Sequence, residues 1–395
     1  MNTAIKPEAN KSLLLATVAF AIAFANWGLI AGLAPLWRKE LGVSLTQASV
    51  AIAIPVLLGS LGRIPMGILT DRFGGRLMFS ILLSFGILPS IALAVNHSYL
   101  SLLFWGFWLG VAGTSFAIGV AFVSRWFPPE KQGTALGIYG AGNIGQSVAV
   151  FFGPVLAKSI GIPATFVLFG AVSLAWGAVF AFWARNAETK AKPRTFQENM
   201  RVLRTEKLSW VLSLFYALTF GGFVALSIYL PTLLKEMFEL TPEDAGARTA
   251  LFVVLATGCR PVGGWLANRI GGQQLLVYVF GGLFCAGWLM AVPSMIPFTA
   301  GVLGYAVLLG LGNGGVFKLV PQYFPQQTGK VTGLVGAAGG LGGFFPPIEL
   351  GILKDVTGSY ALGFVFFSLF ALTCGLVLSR TFLHTPAPSH HRHIH

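Results

Sequence analysis

Stretches long and apolar enough to cross a bilayer recur along the whole chain, and this leaves room for one class of fold. A helix needs about 20 mostly apolar residues to span the hydrocarbon. The chain supplies such runs at 12–34, 46–69, 77–95, 99–124, 133–157, 161–184, 209–233, 246–268, 273–293, 297–319, 331–353 and 359–381. Charged residues make up only 10% of the 395 positions. A soluble domain carries about 25%, so a water-facing shell cannot be built from this composition. Backbone polar groups in lipid must be satisfied within the segment, which makes each run a helix. The expected fold is an all-α membrane protein with 12 transmembrane helices. The 50 glycines suit helices whose backbones approach closely in lipid.

An even number of spans puts both ends on one side. Basic residues choose the side, because short cytoplasmic loops hold the excess of Lys and Arg. With both termini inside, cytoplasmic segments hold 17 of the 26 basic residues and outer loops hold 6. The expected setting is a bacterial inner membrane, multi-pass, with both termini cytoplasmic. The formal charge of +13 therefore reflects topology, and no nucleic-acid partner is expected. Lys6 and Lys11 precede an apolar run of spanning length with no cleavage site after a short core, so no removable signal is expected. Cys259, Cys285 and Cys374 sit in apolar runs without metal-ligand spacing. The histidine-rich ending HHRHIH reads as a passive tail.

The longest connection divides the chain. The expected organisation is a six-helix bundle at 1–184, a cytoplasmic linker at 185–208, a second six-helix bundle at 209–381 and a disordered tail at 382–395. The two halves repeat. Arg63, Gly67, Arg72, Gly74 and Gly75 recur 197 positions later as Arg260, Gly264, Arg269, Gly271 and Gly272. Gly133, Gly137 and Gly140 recur 196 positions later as Gly329, Gly333 and Gly336. Parallel repeats with a site between them describe a transporter architecture. The stretch GILTDRFGGR, with Gly67, Asp71, Arg72, Gly74 and Arg76, resembles the signature loop of the major facilitator superfamily, and GWLANRIGG is its echo. Gly74 and Gly75 permit a tight turn. These residues are expected to stabilise one conformation and not to touch substrate.

Two arginines sit deep in spans. Arg63 lies eight residues before Asp71, about 12 Å along a helix, and Arg260 lies nine before Arg269. The repeat makes them counterparts, one from each half. Acids are almost confined to loops; within a span only Glu349 occurs, near its outer end. Two guanidiniums at the midplane without carboxylates require a mobile anion between them. Guanidinium is planar with paired donors, which suits a small planar oxyanion but also a carboxylate or phosphate.

Glycine runs lie in spans five and eleven: GTALGIYGAGNIG, with Gly140 and Gly142, and GLVGAAGGLGG, with Gly336 and Gly339. They allow close helix packing, approach of backbone to a small ligand, or sliding. Asn143 places one amide in the first run and needs a partner, a helix or the substrate. These runs and the arginine pair resemble the nitrate/nitrite porter family of that superfamily, along essentially the whole chain. The resemblance implies that Arg63 and Arg260 clamp the anion and that Asn143 hydrogen-bonds it. Tyr216 would add a hydroxyl, and Phe220, Phe24 and Phe116 apolar walls. No cofactor, metal or catalytic nucleophile is implied, nor any Walker-type ATP loop, and the family works as monomers.

Lys318 departs from a two-arginine picture. It lies six residues before Phe324, and its counterpart under the 197 shift is Ala121. Two roles stay open: snorkelling to the inner interface, or carrying a proton or relaying the anion. The expected function is a secondary active transporter of nitrate, and of nitrite, by alternating access. The short linker and FKLVPQYFP resemble the branch of the family associated with proton-coupled nitrate uptake, and that resemblance implies proton coupling. The alternatives are nitrate/nitrite antiport, an organic-anion or sugar-phosphate facilitator, and a membrane sensor that binds without flux.

Overall fold

The computed structural model describes residues 7–96, 98–187, 207–324 and 328–382, with backbone alone at 129–134 and 328–330. Most of the expected linker at 185–208, and the tail beyond Phe382 with its HHRHIH ending, lie outside the described residues. Among the described residues, ten helices have the length and composition to cross a membrane, and Leu45–Leu61 with Arg63–Phe73 forms one further span bent by 43°. One of the ten, Ala135–Trp183, is 49 residues long and turns back at Gly161, whose φ of 86° is open to glycine alone. It therefore makes two crossings, giving the twelve expected.

Local chemistry sets the ends of these helices. At the face opposite the chain ends, the outer face in the expected topology, Ser44 and Gln47 form a reciprocal capping box before span two. Ser98 and Thr241 cap spans four and eight by accepting from Ser101 N and Asp244 N. At the inner face the turns after spans two and eight pivot on Gly74 (φ 85°) and Gly271 (φ 91°), counterparts in the repeat. The loop after span two clasps the end of span six: Arg76 N donates to Asn186 Oδ1 at 3.0 Å and Arg76 Nε to Ala181 O at 2.8 Å. Asp71 pairs with Arg125 at the end of span four. Arg72 is exposed, while Gly67 faces open space.

The repeat extends to packing. In the first half Gly113 lies against Gly59, and in the second Gly310 lies against Ala256, 197 positions on in each case. A Cβ on Gly310 would stand 2.3 Å from the Ala256 carbonyl, so spans eight and ten touch through backbone. The halves differ in continuity. Span four carries a 3-10 turn at Gly110–Thr114 and span five another at Ala141–Ile144, whereas Pro242–Ile270 and Met295–Tyr323 run unbroken and span eleven breaks between Gly342 and Phe345.

The halves meet along spans two with eleven and five with eight. Gly246 of span eight lies so close to span five that a Cβ would stand 2.1 Å from the Val150 carbonyl. Polar ties across the halves gather at the outer face. Arg38 pairs with Glu236, and Lys158 with Glu243 at 3.1 Å. Asp355 accepts from Thr46 N at 2.8 Å and Thr46 Oγ1 at 2.6 Å, and Ser49 meets Tyr229 at 2.8 Å. These ties hold the two halves together at the face opposite the chain ends.

Candidate functional site

Arg63 opens the helix that follows the bend in span two, and Gly62 makes that bend possible. A Cβ on Gly62 would stand 2.7 Å from the Leu58 carbonyl and 2.9 Å from Thr114 Cγ2. The Arg63 side chain is 7% exposed and reaches across to the second half. Its Nη1 donates to the Gly336 carbonyl at 2.7 Å, and its Nε points at the Gly113 carbonyl at 3.4 Å. Arg260 comes from span eight and is half-buried. Its Nη2 donates to the Tyr216 hydroxyl at 2.8 Å.

One ring serves both cations. The guanidinium carbon of Arg63 lies 5.4 Å from the Phe220 centroid, and that of Arg260 lies 5.8 Å from the same centroid. Phe116 flanks Arg63 at 5.3 Å, and Phe317 flanks Arg260 at 5.5 Å. Tyr216 and Phe220 stack at 5.0 Å with planes 3° apart. A guanidinium held between rings keeps its edge donors free for an oxyanion. The ion pairs among the described residues are Arg38–Glu236, Arg125–Asp71, Lys158–Glu243 and Arg248–Asp244. Neither central arginine takes part in one. Among the described residues, buried Arg63 and half-buried Arg260 thus face the same space with only neutral partners, a Coulomb arrangement that a small anion relieves.

The glycine runs divide by what they face. Gly140 is buried, yet nothing lies within 4 Å of a Cβ built there. Gly336, its counterpart, is also buried, and its nearest neighbour is Phe116 Cε1 at 3.8 Å. Gly336 leaves space beside Arg63, and Gly140 leaves space beside Asn143. Gly142 and Gly339 are packing glycines: a Cβ would meet Phe20 at 2.4 Å and Tyr216 at 2.2 Å respectively. Asn143 is buried, and its Nδ2 donates to the Gly140 carbonyl at 2.8 Å, while Oδ1 has no partner. An amide nitrogen carries two hydrogens, so the Gly140 carbonyl uses one of them.

Phe24 stands one layer back. It packs on Phe20 at 4.5 Å and Trp27 at 5.1 Å, and Phe20 in turn touches Phe116 at 5.9 Å. Lys318 is exposed, directly after Phe317, and makes no ion pair among the described residues. Sequence reasoning missed Phe317, Phe20 and Tyr139, the last of which stacks on Phe20 at 4.8 Å and donates to the Ser115 carbonyl at 2.7 Å. The repeat held a signal for one of them: Phe20 and Phe24 stand 196 positions before Tyr216 and Phe220.

Comparison with known proteins agrees with this geometry. Residues 15–347 match the profile of the Major Facilitator Superfamily. The nitrite extrusion protein of Bacillus subtilis (strain 168) is 42% identical over 361 residues, covering 91% of each chain. A probable nitrate/nitrite antiporter, NarK1 of Thermus thermophilus, is 37% identical over 93% of this chain and 90% of its own. A probable nitrate transporter, NarT of Staphylococcus epidermidis, is 36% identical over 94% and 95%. Among solved structures, a bacterial homolog of the human lysosomal transporter Spinster, inward-facing and unoccupied, superposes with a TM-score of 0.75 at 18% identity, over 97% of this chain and 100% of that one. With matches of this length and identity, the chain belongs to the nitrate/nitrite porter family of the major facilitator superfamily, and it is a multi-pass membrane transporter with no enzymatic role.

Proposed function

We propose that this transporter moves nitrate, and nitrite through the same site, across a bacterial inner membrane by alternating access. The supporting observation is the pair of guanidiniums on Phe220, one from each half, with no carboxylate on either among the described residues. A flat, weakly hydrated anion suits this slot: in-plane oxygens take the edge donors of both arginines while the rings cover its faces. The names of the three relatives, a nitrite extrusion protein, a nitrate/nitrite antiporter and a nitrate transporter, point to the same substrates. The protein would act as a monomer in the bilayer, with two six-helix halves and both termini cytoplasmic.

The Arg63 bond to the Gly336 carbonyl crosses the halves beneath the outer closure. An anion arriving from the inner side competes for that donor. Binding it loosens one tie between the halves and supplies another, through the anion, to Arg260. Rocking about the site follows from this exchange of partners.

Proton-coupled uptake, the coupling expected from the sequence, rests on Lys318 as the proton carrier. The site itself favours a second reading, nitrate/nitrite exchange. No acid among the described ion pairs can neutralise an empty arginine pair, so the return step is easiest with an anion aboard. Reconstituted proteoliposomes separate the two. Nitrate uptake driven by an imposed pH gradient, with no internal anion, sinks exchange. Uptake only with internal nitrite or nitrate sinks proton coupling. Strong competition by sugar phosphates or dicarboxylates would overturn the nitrate reading itself, and nitrate binding without any flux would leave a sensor.

A further inference from the structure

Glu349 belongs to no part of the nitrate mechanism, yet its position is costly. It lies in span eleven, four residues after Phe345 and eight before Thr357, where that helix ends. Its Oε1 is buried and has no hydrogen-bond partner, and no basic residue pairs with it among the described residues. An unpaired acid at membrane depth marks a functional site by default, because a lone carboxylate in hydrocarbon is unfavourable.

The carboxyl stands in a groove of about 770 Å³ between spans seven, eleven and twelve, lined by Trp210, Phe345, Phe366 and Phe370 and, among the described residues, by no basic side chain. That volume falls within the range of small-molecule sites. Phe345 is 60% exposed and Phe366 48%, so the groove opens towards lipid. It is separate from the anion site. Gly336 and Gly340, beside Arg63, occupy the other face of span eleven.

Charge and surface together select the occupant. A carboxylate repels anions and pairs with a cation. Aromatic rings attract an ammonium through their faces and accept hydrocarbon along their edges. We infer that this groove binds a lipophilic organic ammonium, a hydrocarbon body with one cationic nitrogen, and that Glu349 pairs with the nitrogen.

The test uses the full chain in nanodiscs and follows tryptophan quenching by dodecyltrimethylammonium carrying a terminal bromine. The equally brominated dodecanol and dodecanoate serve as neutral and anionic controls. The cation should quench saturably, and about tenfold more tightly than the alcohol, the factor expected for one desolvated cation contact. Glu349→Gln should erase that preference while nitrate binding persists, and Trp210→Phe should shrink the quenched amplitude. Equal binding of cation and alcohol by the unmodified protein overturns the proposal, whether or not the Gln variant folds. So does cation binding that survives Glu349→Gln, or an amplitude that Trp210→Phe leaves unchanged.

Discussion

Replacing Arg63 with lysine isolates what its planar fork contributes, because the charge stays. The guanidinium donates to the Gly336 carbonyl through Nη1 and faces the Gly113 carbonyl through Nε, and it lies between Phe116 and Phe220. Lysine offers a point charge on a rotatable stem. It can serve the Gly336 carbonyl or an anion, but it lacks the fork that serves both at once. The expected loss is one hydrogen bond to a charged group, about 1.5–3 kcal/mol. At 1.4 kcal/mol per tenfold, nitrate binding weakens by about 10- to 150-fold. Arg260→Lys should fall at the lower end, since Arg260 is half-buried and an ammonium can still meet the Tyr216 hydroxyl. The assay pairs calorimetric nitrate binding with uptake into proteoliposomes, and a thermal melt checks folding. Both variants behaving like the parent would refute the clamp. Normal binding with lost transport in Arg63→Lys would make Arg63 a tie between the halves and not an anion ligand.

Tyr216→Phe leaves the stack on Phe220 but removes the oxygen that accepts from Arg260; the nitrate KM should rise about tenfold, with the melting temperature nearly unchanged. Gly140→Ala places a methyl in open space and should fold normally while weakening nitrate binding. Gly339→Ala drives a methyl to 2.2 Å from the Tyr216 ring, so it should cost about 1–3 kcal/mol of stability, read as a lowered melting temperature. Glu236→Gln removes the pair with Arg38 across the outer face. A part-exposed pair contributes up to about 1 kcal/mol, so the outer-open population should rise as much as about fivefold, seen as a longer distance between spin labels at Lys39 and Glu239.

The spans were legible because lipid imposes one rule on every crossing: a long apolar run with few charges. The turn at Gly161 fell within two residues of an expected boundary, since a glycine at positive φ followed by Pro163 is a local signal. The bend at Gly62 was not legible. Nothing in LGSLGR separates a break in the helix from a continuous span; it depends on Thr114 pressing against Gly62. The meeting of Arg63 with Arg260 could be read because charges stand out in apolar sequence and the repeat pairs them. Phe317 could not, because one ring among 34 phenylalanines carries no signal of its own. The same limit applies to the glycines. Gly140 and Gly142 look alike in sequence, and only the third dimension shows that one faces a void and the other Phe20.

The 3-10 turns of the first half have a mechanical meaning. Spans two, four and five are interrupted near the level of the anion, whereas spans eight and ten are single rods. Interrupted helices bend at the interruption and continuous ones do not. In the second half the break falls elsewhere, in span eleven between Gly342 and Phe345, so a duplicated sequence has placed its interruptions on different spans around a shared load. A covalent staple across Gly59 and Gly110, where spans two and four touch, should slow turnover. The matching staple across Ala256 and Val307 should leave it unchanged, because spans eight and ten are each continuous and move together.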